Sequence, residues 1–317
     1  MGFRRYVLKR VLQAIPTIIA VVTIAFFMIR FIPGDPVEIM MGYTSDQQVI
    51  ESLQQRYGLD QPLWRQYLEF MYGYLTFDFG TSVRTGRAVE SMIMARLPHT
   101  ILLATGGMII ALLIGIPAGI IAAVNRDEMT DDGVMVGALL GVSTPDFWIG
   151  LILILVFAGS LGIFPATGAG SLNDPVELLH HLVLPAITLG TFTASLIARL
   201  TRSSMIGVLE KDYVQAARAR GIGERTVIYK HAFRNASVPV ITVVGLYFGN
   251  AIAGTIVIEE VFARPGVGRL LLDSIFGRDY PVVQGTVVVI AVMYITVNLI
   301  TDLVYTKADP KITYEDT

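Results

Sequence analysis

Residue patterns that carry enzymatic chemistry are scarce in this sequence of 317 residues. No lysine follows a glycine, so the phosphate-binding loop GxxxxGK followed by Ser or Thr does not occur. The zinc-protease pattern HExxH and the nucleophile pattern GxSxG do not occur either. His180 and His181 are adjacent, and adjacent residues on a helix do not share a face. We therefore expect no catalytic residue, no metal site and no cofactor bound by this chain.

Asp146 is an acidic residue inside a predicted membrane span. It lies about 13 residues into the third span described below, or roughly 20 Å along a straight helix axis, near the centre of a bilayer. A carboxylate at that depth costs about 2.5 to 3.5 kcal/mol. Two interpretations are open. Asp146 faces a water-filled pathway, beside a backbone carbonyl freed by Pro145, or it is a protonated acid that is hydrogen-bonded to a neighbouring helix.

Residues 212–239 form a polar, basic stretch between two long apolar runs. Apolar and small residues before Gly221 recur with helical spacing, which predicts one helix with a coherent face. The members of that face are Met205, Leu209, Tyr213, Ala216 and Ala217. Gly221 is expected to end this helix in the left-handed conformation, with two arginines set against the negative end of the helix dipole. A second short helix is predicted from Glu224 to about residue 235.

The bend between these helices would form a helix-turn-helix, called the knuckle below (residues 212–235). Its outer surface at Ala216, Ala217 and Gly221 is expected to be almost bare of side chains. Such a surface lets another backbone approach closely. The alternative is an ordinary amphipathic loop.

The composition is that of a polytopic membrane protein. Hydrophobic residues make up 53% of the chain and charged residues 16%, whereas about a quarter of the residues in a soluble globule are charged. The chain has no cysteine, which excludes disulfides and thiolate metal sites. The net charge of −2 does not indicate a class of partner.

Six apolar runs are long enough to cross about 30 Å of hydrocarbon as helices, so an all-α fold with six transmembrane helices is expected. They are residues 11–29, 98–124, 133–161, 182–200, 238–258 and 282–305. The first run lacks a signal-peptide cleavage site and should stay as an anchor. Residues 33–97 form a hydrophilic excursion that we expect to be helical, with a capping-box pattern at Ser45 and Gln48 and a helix that begins at Pro62.

Small residues recur every four positions in the second and fifth runs. This pattern is typical of membrane helices that pack backbone to backbone, and we favour packing over the alternative, the lining of a wide pathway. The residues are Gly107, Ala111, Gly115, Gly119 and Ala123 in the second run, and Gly245, Gly249 and Ala253 in the fifth.

Lysine and arginine are distributed unevenly among the loops. The amino terminus and residues 199–234 hold twelve of the 24, whereas residues 162–181 hold none. The positive-inside rule therefore places both termini and the knuckle in the cytoplasm. Residues 125–132 carry one arginine against four acids, yet parity places them in the cytoplasm too, and acids count little in this rule.

The knuckle resembles the cytoplasmic signature loop of ABC importer permeases, which reads Glu-Ala-Ala, three residues, Gly. Here Gln215 replaces the acidic residue, and Arg234 stands near where many members carry proline. The whole chain resembles the dipeptide/oligopeptide/nickel branch of that family, specifically its first membrane subunit. The matching stretches are PGDP at 33–36, YGLDQP at 57–62, TGRAV at 85–89, RLPHT at 96–100, PDFWIG at 145–150, HLVLPAITLG at 181–190, EEVFARPGVGRLL at 259–271, RDYPVVQG at 278–285 and DPKI at 309–312.

The resemblance implies a type I importer permease that works with a second permease subunit, two cytoplasmic ATPase subunits that bind ATP and Mg, and an extracytoplasmic solute-binding protein. The residues implied in ATPase coupling are Tyr213, Gln215, Ala216, Ala217, Gly221 and Glu224. The solute is peptide-like or another small molecule, and its identity stays open. An ion-coupled secondary transporter is the rival interpretation, disfavoured because Asp146 is the one acid placed deep inside a span and because six spans show no visible inverted repeat.

The expected domain organisation has four parts. They are an anchor helix (1–32), an extracytoplasmic helical excursion (33–97), a five-helix core (98–306) that includes the coupling loop (204–236), and a cytoplasmic tail (307–317).

Overall fold

The structure is a computed structural model that describes residues 3–31, 58 and 60–308. Regular structure in these residues is helical, apart from an isolated antiparallel pair between Thr81 and Ala88. The predicted capping box at Ser45 and Gln48 lies outside the described residues, as does the tail beyond residue 308.

The described residues form eleven α-helices. In order they are α1 (Phe3–Arg30), α2 (Leu63–Thr76), α3 (Val89–Val124), α4 (Met129–Ser143), α5 (Asp146–Leu153), α6 (Pro175–Leu209), α7 (Asp212–Ala219), α8 (Glu224–Thr226), α9 (Arg234–Val261), α10 (Val267–Phe276) and α11 (Tyr280–Ala308). Wider π-helical turns continue α5 over Ile154–Ser160 and join α8 to α9 over Val227–Phe233.

Among the residues that the structure describes, five helical segments are long and apolar enough to cross a membrane, and a bent pair would make a sixth. The five are Val7–Met28, Val89–Val124, Pro175–Leu209, Glu224–Val261 and Tyr280–Leu303. The pair is Met129–Ser143 with Asp146–Ser160, whose axes differ by 107°. The third apolar run, 133–161, therefore consists of two helices that are not collinear. Pro145 explains the bend, because it has no N–H to donate and disfavours the helical conformation at Thr144, whose ψ is 129°.

Several elements extend beyond their predicted limits. The second span begins at Val89, and the fourth begins at Pro175, where the side chain of Asp174 accepts hydrogen bonds from two backbone N–H groups of the first turn. Residues 259–281, which connect the fifth and sixth apolar runs, contain the ten-residue helix α10. Composition locates the apolar middle of a span well, whereas local capping chemistry decides where its helix begins.

Contacts divide the chain into two compact units, Met1–His99 with Pro265–Ile295, and Thr100–Arg264 with Thr296–Thr317. This division differs from the predicted parts, because residues 265–295 group with the amino-terminal residues. In the first unit, α2 packs along the end of α1. The Tyr67 and Thr23 hydroxyls are hydrogen-bonded at 2.8 Å, and the rings of Tyr67 and Phe70 meet the edge or face of Phe26.

In the second unit, the small residues of α3 lie against α6. A Cβ on Gly115 would lie 2.6 Å from the carbonyl oxygen of Ala194, and one on Gly119 would lie 2.5 Å from that of Ala198. Gly107 is covered by the side chain of Leu189. Ala111 and Ala123 are buried in the same interface region. Elsewhere in this unit, Gly249 is buried, and the hydroxyl of Thr301 donates to the carbonyl of Gly245 at 3.3 Å.

Candidate functional site

The knuckle consists of the short helix α7, a turn at Gly221, and the first part of a continuous helical run, Glu224–Val261. Two predicted boundaries were wrong here. The helix before Gly221 is interrupted, because α6 ends at Leu209 and α7 starts at Asp212. The second helix does not stop near residue 235 but continues through the π-helical turn into α9. The knuckle is therefore continuous with a membrane span on its carboxyl side.

Gly221 ends α7 as predicted. Its φ is +77°, in the left-handed region. Its N–H donates to the carbonyl of Arg218 at 2.9 Å, and the N–H of Ile222 donates to that of Ala217 at 3.3 Å. These two bonds form a Schellman motif, and Ile222 packs against the apolar cluster beneath α7, the hydrophobic contact that accompanies the motif.

Ala217 does not lie on the outer surface, so the prediction for this residue was wrong. It is 6% exposed and packs with Val214 and Val227 in a small core that closes the angle of the knuckle. The helical break at residues 210–211 resets the rotation of α7, so the face of α6 does not continue into it. Ala216, one residue away, is exposed.

Two further predicted residues fasten the knuckle to its neighbours. The side-chain amide of Gln215 donates to the carbonyl of Leu209 at 3.0 Å, and so caps the end of α6. A glutamate at this position could not donate that bond, which gives Gln215 a local structural role. The hydroxyl of Tyr213 accepts a hydrogen bond from the side-chain amide of Asn235 at 3.0 Å, which ties α7 to α9.

The outer face of the knuckle is open. Asp212, Ala216 and Gly221 are exposed, and a Cβ on Gly221 would meet no atom within 4 Å. Beside them, the guanidinium of Arg218 donates to both carboxylate oxygens of Glu224, at 2.6 and 3.2 Å. This bidentate pair spans the turn and fixes the angle between α7 and α8.

Asp146 is the first residue of α5, immediately after the bend. The depth estimated from a straight helix therefore does not apply beyond Ser143. Asp146 is partly exposed, and its carboxylate makes no hydrogen bond to any described residue. One turn further along α5, on about the same face of the helix, Gly150 lies against Phe262 and Thr188.

Sequence reasoning missed a set of buried polar residues around the end of α9. The Thr100 hydroxyl donates to the carboxylate of Glu259 at 2.6 Å, and the Arg264 guanidinium donates to the carbonyl of His181 at 3.0 Å. Glu259 and Arg264 are both fully buried. Burial lowers the pKa of Arg264 to about 10, opposed by the charge of Glu259, so the guanidinium stays protonated at neutral pH. The sequence signal for these residues is the charged segment EEVFARPGVGRLL at 259–271, whose acids and arginines stand between two apolar spans.

The described residues contain no cluster of three or more His, Cys, Asp or Glu side chains that could hold a metal ion. His180 and His181 are engaged separately, His180 with the carbonyl of Ile163 and His181 with that of Glu177.

Comparisons with known proteins agree with this architecture. Residues 115–314 match the family described as "Binding-protein-dependent transport system inner membrane component", and residues 3–104 match the corresponding amino-terminal family. The oligopeptide transport system permease protein AppB of Bacillus subtilis is 41% identical over 98% of this chain and 99% of its own length. The glutathione transport system permease protein GsiC of Escherichia coli strain K12 is 42% identical over 98% of this chain and 99% of its own length.

Solved structures give the same fold at low sequence identity. An inward-facing structure of the MetNI methionine ABC transporter matches 69% of this chain and 96% of its own chain, with a TM-score of 0.57 and 14% identity. An amino acid ABC transporter crystallised with histidines matches 68% and 94%, with a TM-score of 0.51 and 15% identity. On the strength of the family matches and the near full-length relatives, this chain belongs to the binding-protein-dependent transport system inner membrane components, a family of multi-pass permeases.

Proposed function

We propose that this chain is one of two membrane subunits of an ATP-driven importer for peptide-like solutes, and that the knuckle is its docking element for an ATPase subunit. The relatives named for oligopeptide and glutathione transport support the solute class. Under this proposal the chain binds no cofactor itself. ATP and Mg belong to two ATPase partners, and an extracytoplasmic binding protein delivers the solute to the paired permeases.

One observation carries the docking role: the knuckle is rigid within the chain but bare on its outer face. The hydrogen bond of Gln215 fastens it to α6, the hydrogen bond of Asn235 ties α7 to the start of α9, and the Arg218–Glu224 pair braces the turn between α7 and α8. The exposed surface at Ala216 and Gly221 offers backbone with almost no side-chain bulk. A partner can therefore seat closely on it, and a displacement of the knuckle passes directly into the two helices that it joins.

Asp146 is proposed to face the solute pathway. Its lack of a hydrogen bond to the described residues favours this role over that of a buried, protonated acid. A cysteine at position 146 should react with a water-soluble thiol reagent in at least one state of the transport cycle. Protection in every state would contradict the assignment.

The docking role is tested by Ala216→Arg. Ala216 is exposed, so the substitution should leave folding and abundance unchanged while it blocks the approach of a partner backbone. In the purified, reconstituted transporter we expect weaker retention of the ATPase subunits and loss of uptake.

Asn173→Arg is the matched control, because it adds the same side chain at an exposed site far along the sequence. It should transport normally. Ala217→Arg is unsuitable as a docking probe, since an arginine cannot enter the core at that position without disrupting it. Normal ATPase retention and uptake in Ala216→Arg would show that the knuckle is not the docking element.

A further inference from the structure

An ion pair between a buried aspartate and a partly exposed arginine joins the start of α4 to α6 just before the knuckle. Both carboxylate oxygens of Asp131 accept hydrogen bonds from the Arg202 guanidinium, at 2.5 Å each. The backbone N–H of Asp127 donates a third bond to the same carboxylate at 3.1 Å. Asp131 is 2% exposed, although it lies in the first turn of a helix otherwise rich in exposed residues.

The two partners occupy informative places along their helices. Arg202 lies two turns before Leu209, where α6 ends and the knuckle begins. Asp131 begins the helix that leads to the bend at Pro145 and to Asp146. The ion pair thus connects α6, close to the proposed docking element, to the helix that leads to the bend before the pathway candidate.

Close packing adds a second attachment between the same two helices. Gly141 lies so near the Ser195 side chain that no Cβ could be added without displacement. Ala138 is buried between these points, whereas Val136, Leu139 and Leu140 are exposed. In the described residues α4 is therefore fastened to α6 at both ends, with a polar joint near the knuckle and a packed joint near the bend.

We propose that Asp131 and Arg202 are positioning residues that make α4 move with α6, so that displacement of the knuckle reaches the bend at residues 143–146. This inference rests on the proposed docking function. A bidentate guanidinium–carboxylate pair fixes both distance and orientation. An apolar contact of similar volume would also stabilise the fold, but it would let α4 slide along α6. Replacing an ion pair that is removed from water with apolar side chains is often neutral for the free energy of unfolding.

The experiment compares three variants in the complete reconstituted transporter, with solute imported per ATP hydrolysed as the readout. Asp131→Asn removes one charge and is expected to lower this ratio roughly tenfold. The double variant Asp131→Leu/Arg202→Met replaces the joint with apolar side chains. It should recover normal thermal stability and ATPase retention, yet keep the low ratio.

Arg126→Gln is the matched control. Arg126 pairs with Glu210 at 2.7 Å in the same region, but both side chains are exposed, so its removal should leave the ratio near normal.

The outcomes separate the two proposals. If the apolar double variant transports with the normal ratio, the ion pair is structural only and the inference is overturned, while the docking role stands. If the apolar variant stays uncoupled but ATPase retention is normal, the positioning role is supported. If Ala216→Arg also leaves retention and uptake unchanged, the docking function itself fails.

Discussion

At Gly221 a single backbone angle sets the direction of the knuckle. Its φ of +77° lies in a region that costs an L-residue about 1 kcal/mol or more, so a side chain there is penalised even though the space around it is empty. The sequence signal was sufficient to predict this, because a glycine after basic residues at a helix end is a local pattern.

Gly221→Val is expected to misdirect the helical run that follows and to impair ATP-coupled uptake, with the chain inserted and abundant. Gly223→Ala is the matched control, because Gly223 is equally open but has a φ of −57° that alanine adopts freely. Uptake assays and immunoblots of membranes measure both effects. Equal uptake in the two variants would mean that the left-handed turn is dispensable.

Ala217 illustrates what residue patterns cannot supply. Its orientation depends on the two-residue break between α6 and α7, and a shift of one residue rotates a helix by about 100°. The partnership of Asp131 with Arg202 is equally invisible, since the two lie 71 residues apart and only the fold brings them together. Local capping could be predicted from the sequence, whereas contacts between distant helices could not.

At the scale of elements, small residues explain how closely α3 and α6 approach. Their contact includes backbone carbonyls, so the helices cannot separate by rearranging a flexible side chain. The four-residue repeat in the sequence located the stripe on α3, but the identity of the opposing helix came only from the structure.

Gly119→Leu should therefore destabilise the chain by about 1 to 3 kcal/mol through overpacking. Gly137→Leu is the control, because a Cβ on Gly137 would meet nothing within 4 Å. The midpoint of thermal aggregation in detergent measures the difference. Similar midpoints for both variants would show that the α3–α6 contact does not limit stability.

For the whole molecule, the distribution of lysine and arginine predicts the topology. Six spans place the knuckle and both termini in the cytoplasm, and the bent pair Met129–Ser143 and Asp146–Ser160 must count as one crossing for this parity to hold. If the bent pair entered the membrane and left it again on the same side, the knuckle and the amino terminus would lie on opposite sides of the membrane.

Reporter fusions decide between these arrangements. A reporter that is active only outside the cytoplasm should work when it is fused at Asp60 or Asn173, and fail at Glu224 or Glu315. Activity at Glu224 would overturn both the topology and the docking role. Fusions at Asn125, expected to be inactive, control for the crossing that precedes the bent pair.

The length of the uninterrupted helical run from Glu224 to Val261 determines how far one end moves when the helix tilts. Its 38 residues span about 57 Å at 1.5 Å per residue. A rod of that length, tilted by about 5° around one end, moves its other end by about 5 Å, close to one helical turn. The wider turn at Val227–Phe233 lies within the knuckle, where a small change in bending would set the angle of the rest of the rod. A tilt of a few degrees at the cytoplasmic end of this helix is thus enough to move its other end, which carries the buried Glu259, by about the width of a side chain.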